Sequence, residues 1–230
     1  MKRFYKEVSV GEAAGACTIL LDGRVVKTPQ RAALALPTET LAAAIAEEWK
    51  GQGEEIVPAS MPLTKLANTA LDRVASLREE VVNQIMAFAN DTLCYRAASP
   101  VELVARQAAE WDPVLSWITE RYGVRLQTTV GIAHLAQSEE SLARLKAAVA
   151  AYDDFMLAGL HTAAGILASL SLTLALGEKR LSAGTAFALS QLDERYQADR
   201  WGEDEEAAAR TRALLAELLT VEQFLALVRG

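Results

Sequence analysis

Cys17-Thr-Ile-Leu-Leu-Asp-Gly-Arg-Val-Val-Lys-Thr28 reads as strand, turn, strand, and it decides what the first part of the chain is. The Asp22-Gly23 pair sits between two β-branched and aliphatic runs, and a two-residue hairpin turn needs positive φ at both central positions. Phe4 to Val10 and Ala32 to Leu36 are expected companion strands, punctuated by Pro29 and Pro37. Beyond Pro37 the period changes. Thr38 is placed to cap a helix in which Leu41, Ile45 and Trp49 recur at i, i+4 and i+8, with Gly51 and Gly53 at its end. Trp49 is expected to cover a junction between the two parts of the chain.

Glu54 to Pro62 reads as a linker, which sets the expected domains at 1–58, β-rich with one helix, and 59–230, helical. In the second part, Leu63 to Val74 is helical and Ser76 with Glu79 has capping-box spacing. Val101 to Tyr122 forms a long helical pattern in which Pro113 could introduce a bend, Thr128 to Leu135 reads as a short extended piece, and Ser138 caps a helix running to Tyr152. Phe155 to Gly177 carries no formal charge, a length that would span a bilayer. His161, Thr162, Ser169, Ser171, Thr173 and three glycines favour a buried central helix instead. Ser182 opens a helix reaching Trp201-Gly202, another runs from Asp204 to Leu219, and Thr220 with Gln223 opens the last. The expected class is α+β: a small β-rich α/β N-terminal domain followed by a mainly helical, orthogonal-bundle domain.

Composition narrows the function. The 230 residues include 23 basic and 30 acidic ones, a net charge of −7, with no basic cluster to neutralise phosphates, which argues against nucleic acid as a partner. An apolar fraction of 51% is that of a folded chain. Cys17 and Cys94 stand far apart without a CxxC pair, and His134 and His161 lack metal-ligand spacing, so neither a thiolate nor a zinc site is expected. Met1-Lys-Arg-Phe-Tyr-Lys-Glu is followed by no apolar h-region, so the expected compartment is the cytoplasm in a bacterial-type context, and a mature organellar form would read the same. No GxSxG elbow, phosphate loop or dinucleotide fingerprint occurs.

Carboxylates remain. Glu203, Asp204, Glu205 and Glu206 suit a helix start, where negative charge complements the dipole. Upstream, Glu194, Gln197 and Trp201 fall at i, i+3 and i+7, with Asp193, Gln197 and Arg200 forming the neighbouring row. An acid, an amide and a tryptophan on one face make a poor core stripe and a reasonable recognition surface. Two readings follow: a partner-binding face formed by Asp193, Glu194, Gln197, Trp201 and Asp204, or a hydrolase using paired carboxylates in a concave pocket.

Several blocks occur in fixed order: Arg3-Phe-Tyr-Lys6, Leu21-Asp-Gly-Arg-Val-Val-Lys-Thr-Pro29, Leu36-Pro-Thr38, Glu48-Trp49, Met61-Pro-Leu-Thr-Lys-Leu-Ala-Asn-Thr69, Asp72, Glu110-Trp-Asp-Pro113, Leu192-Asp-Glu-Arg-Tyr-Gln197 and Trp201-Gly-Glu-Asp204. Together they resemble the ATP-twelve family of ATP synthase assembly chaperones, found in mitochondria and α-proteobacteria. The resemblance implies a small α/β domain and a helical domain, no enzymatic activity and no cofactor. It implies binding of the free α subunit of the soluble head before β subunits join; separately from the resemblance, the chain is expected to be a monomer. In bacterial members the compartment is the cytoplasm, in eukaryotic ones the mitochondrial matrix. The functionally important acid of the family lies in the block Leu192-Asp193-Glu194, with either acid a candidate.

Overall fold

The computed structural model describes residues 1–13, 15–202 and 204–230. They divide into two compact units, 1–78 with 153–159 and 223–230, and 79–152 with 160–222.

In the first unit, β1 (Val8–Ala13) and β2 (Ala16–Leu21) pair antiparallel from Val8 opposite Leu21 to Ala13 opposite Ala16, and β3 (Arg24–Val25) extends the sheet from β2. Asp22 and Gly23 have φ of 48° and 77°, the double left-handed turn that joins β2 to β3. The Asp22 carboxylate accepts the N–H groups of Lys6 and Glu7 at 3.0 and 2.8 Å, which fixes the chain entering β1 and lowers the pKa of the acid. The first strand begins later than expected and Ala32 to Leu36 makes only isolated bridges, Lys27 to Ala33 and Cys17 to Leu36. Between them Thr28 to Arg31 turns, with Arg31 at φ 69°. That turn is pinned by Asp72, which accepts the Thr28 hydroxyl at 2.6 Å and the Gln30 N–H at 3.0 Å.

Helix α1 (Glu39–Lys50) is capped by Thr38, whose Oγ1 accepts from Leu41 N, and it buries Leu41 and Ile45 against β1 and β2. Trp49 meets Tyr5 edge-on at 5.7 Å, inside this unit. The stretch read as a linker is instead tied to the first residues of the chain: Arg3 N–H donates to Glu54 O and Ile56 N–H to Met1 O. Helix α2 (Pro62–Thr69) is then stapled to α1 by Glu48. Its carboxylate accepts Leu63 N–H at 2.7 Å, Thr64 N–H at 2.8 Å and the Thr64 hydroxyl at 2.7 Å, filling the open N-terminus of α2. The unit that holds the sheet therefore runs past residue 58, the boundary drawn from sequence.

The second unit takes in most of α3 (Arg78–Met86), then β4 (Tyr95–Arg96), α4 (Val101–Tyr122), β5 (Thr129–Val130), which pairs parallel with β4, and α5 (Glu139–Ala150), capped by Ser138. Ser76 does not cap α3; its hydroxyl donates back to Asp72 O and Arg73 O, in the first unit. Helix α4 continues through Pro113 and stops at Gly123, whose φ of 65° turns its N–H onto Thr119 O. The uncharged stretch is two helices rather than one, α6 (Asp154–Leu167) and α7 (Leu170–Gly177). Ala168 at φ 49° breaks the ladder and the Ser169 hydroxyl caps α7 by accepting Leu172 N–H. All of α7 is buried. No helix among the described residues is long and apolar enough to cross a membrane.

Ser182 caps α8 (Ala183–Ser190), and Gln191 separates it from α9 (Leu192–Trp201) where one continuous helix was expected. The reverse holds at the end of the chain. α10 (Glu205–Arg229) is unbroken, and Thr220 donates its hydroxyl to Ala216 O four residues back instead of starting a new helix. Both α6 and α10 contribute residues to each unit. The α+β class, a small N-terminal sheet followed by a mainly helical remainder, is the one expected.

Candidate partner-binding site

Helix α9 has ten residues and only Leu192 is buried, too little apolar contact to hold it in place. A polar row along α4 does much of that work. Gln107 Nε2 donates to Asp193 Oδ1 at 2.8 Å, Arg106 reaches Asp199 at 3.6 Å and Glu102 meets Arg200 at 3.9 Å. Arg106 is itself bonded to Glu110 at 2.9 Å. Just ahead of α9, the indole N–H of the buried Trp111 donates to Leu189 O at 3.0 Å and locks the end of α8. The Arg200 guanidinium lies 4.6 Å over the Tyr196 ring.

The five residues expected to form a binding face do not share one environment. Glu194, Gln197 and Trp201 are exposed on the same side of α9 and line one open cleft of about 440 Å³ with Asp204 and Thr211. Trp201 is 77% exposed. Asp193 is half-buried and turned onto Gln107. Asp204 also borders the cleft, yet its carboxylate accepts Ala207 N–H at 3.0 Å and its carbonyl accepts Ala208 N–H at 2.9 Å: it is the cap of α10. Glu205 and Glu206 fill the first turn of α10, as dipole electrostatics predicts. Glu203 lies outside the described residues.

A paired-carboxylate hydrolase would need two acids converging in a concave, water-poor site. The acids on this cleft are exposed, Asp199 is paired with Arg106 and Asp204 caps a helix. The one deeply buried carboxylate among the described residues is elsewhere. Asp91 is 0% exposed, accepts Leu93 N–H at 3.1 Å and Ser171 N–H at 2.7 Å, and burial raises its pKa above the usual carboxylate range. Buried Cys94 nearby is pushed up to about 12 by desolvation, with the Asp91 charge adding to it, which keeps it a thiol. His161 bonds Gln84 at 2.9 Å, whereas His134 is exposed. No group of three His, Cys, Asp or Glu among the described residues is placed to hold a metal ion. Sequence reasoning missed Gln107, Arg106 and Glu102, whose role depends on where α9 lands and which carry no signal of their own.

The ATP12 chaperone protein family model matches residues 2–119, which stops short of α9. Over its whole length the chain is similar to solved structures. The crystal structure of Atp12 from Paracoccus denitrificans is 41% identical with a TM-score of 0.95, covering 99% of this chain and 98% of that one. The Atu1473 protein of Agrobacterium tumefaciens is 40% identical with a TM-score of 0.91, over 97% and 84% of the two chains. The mitochondrial protein atp12 of Schizosaccharomyces pombe is 28% identical over 220 residues, 90% of this chain and 75% of its own. The small sheet, the helical remainder and these matches together show that the chain belongs to the ATP12 family of ATP synthase assembly chaperones.

Proposed function

We propose that this chaperone binds the free α subunit of the ATP synthase soluble head and prevents its aggregation before assembly, acting as a monomer in the bacterial cytoplasm and without catalysis. An unassembled subunit exposes an apolar oligomer face that would self-associate, so a partner must cover it. The observation that carries the reading is Trp201, 77% exposed beside exposed Glu194 and Gln197 on a helix fixed by hydrogen bonds and ion pairs. A large aromatic ringed by polar groups on a pre-ordered element has the composition of an interface hot spot. Asp193 and Asp204 frame that face, one tied to α4 and the other to α10.

Pull-down from an α-proteobacterial extract with mass identification of the retained chain tests the partner. The α subunit should be recovered, and Glu194→Lys should release it while leaving helicity and melting unchanged. Retention of α by the Glu194→Lys variant at wild-type strength would sink the face; recovery of a different chain would sink the partner.

A further inference from the structure

Asp193 and Glu194 are neighbours in sequence with opposite surroundings. Glu194 is exposed on the cleft, whereas half-buried Asp193 ends a chain of hydrogen bonds that runs through buried Gln107. Gln107, 1% exposed, accepts the Ala97 N–H on Oε1 at 2.8 Å and donates from Nε2 to Asp193 Oδ1 at 2.8 Å. A backbone N–H can only donate, so Ala97 dictates which way the Gln107 amide is turned and leaves its NH₂ facing residue 193. The platform beneath is rigid. Arg96 donates to Gln107 O at 3.1 Å, to Leu93 O at 2.8 Å and to Asp112 at 2.7 Å, and its guanidinium lies 5.3 Å over Trp111. What this arrangement requires at residue 193 is an acceptor, not a charge.

Resting on the reading that α9 presents the binding face, we infer that Gln107 is a positioning residue for that face and that Asp193 acts through it, orienting α9, while Glu194 is the acid that meets the partner. The donor and acceptor of the pair can be exchanged to test this. In Gln107→Glu one oxygen still accepts from Ala97 while the other confronts the Asp193 carboxylate at hydrogen-bond distance. Adding Asp193→Asn supplies an NH₂ donor to that oxygen, which restores the bond with its polarity reversed.

Two readouts separate the inference from the reading beneath it. Hydrogen exchange of α9 amides in the free protein reports positioning, and affinity for purified α subunit reports function. Gln107→Glu should speed α9 exchange and weaken binding about tenfold or more, on the scale of one lost charge-assisted bond. The double variant should return both to within about threefold of wild type, well under a full lost bond, although residue 193 no longer carries a charge. Asp193→Asn alone should bind nearly as well as wild type, because its amide oxygen can still accept from Gln107; this arm decides the matter if Gln107→Glu fails to fold. Folded Asp193→Asn without binding, or a double variant no better than Gln107→Glu, would overturn the inference. Wild-type binding by both Glu194→Gln and Trp201→Ala would overturn the α9 reading itself, and the positioning role with it.

Discussion

Replacing Trp201 by alanine separates a side chain held ready for a partner from one that stabilises the fold. A tryptophan can bury about 150–250 Å², and with 77% of it exposed about 115–190 Å² still faces water. At about 25 cal/mol per Å² the covered remainder stabilises the free protein by only about 1 kcal/mol, a melting shift of about 2–4 °C for a chain of this size. The exposed part sets a ceiling of about 3–5 kcal/mol on what a partner could gain by covering it. Truncated hot-spot residues commonly lose about 2–4 kcal/mol, so the dissociation constant for the α subunit should rise between about 30- and 700-fold. Titration calorimetry against purified α subunit gives the affinity and circular dichroism gives the melt. A variant that melts much lower but binds normally would refute the reasoning, because Trp201 would then belong to the packing of α9 and not to a contact surface.

Glu48→Ala should destabilise the protein by about 2–4 kcal/mol in denaturant titration, since three bonds to one carboxylate are lost and α2 is left uncapped. Glu48→Gln should recover part of this, as the amide oxygen can still accept. Because burial raises the folded pKa of Asp91 above its ordinary 3.8, its contribution is fully present below that value and is lost as pH rises through the folded pKa. Asp91→Asn should therefore gain stability relative to wild type as pH is raised from 4, in denaturation measured at successive pH values. With Cys94 fully buried and its pKa near 12, a thiol reagent at pH 8 should modify half-buried Cys17 alone in the native protein and both cysteines once it is unfolded.

Where structure is dictated within a few residues, it was readable. Asp22-Gly23 announces its turn because both positions need positive φ, and Thr38, Ser138 and Ser182 announce helix starts because their hydroxyls accept N–H groups three residues on. The same chemistry misleads at Ser76 and Thr220. A hydroxyl in a helix can as well donate three or four residues back, and only the surrounding packing decides between the two. The break between α6 and α7 had no local signal, since alanine is the best helix former and Ala168 nevertheless sits at φ 49°. On α9 the periodicity put Glu194, Gln197 and Trp201 on one face, and all three are exposed. It could not tell which neighbouring acid faces water, because that depends on Gln107, eighty-six positions away along the chain.

The motif blocks that mark the family divide by what their polar groups touch. Asp22 holds Lys6 and Glu7, Glu48 holds Leu63 and Thr64, and Asp72 holds Thr28 and Gln30. Each of these carboxylates is committed to N–H or hydroxyl groups of another segment, so each serves the fold and has little left to offer a ligand. Glu194 differs from all three. It lies exposed on a cleft, next to a tryptophan that folding leaves uncovered, on a helix too polar to be there for packing. Exposed apolar area that the free protein does not use, held on an ordered element by hydrogen bonds from α4, is what an interface needs in order to bind without a further ordering cost. The acids of the first unit explain why the chain folds; the face of α9 is what remains for a partner to explain.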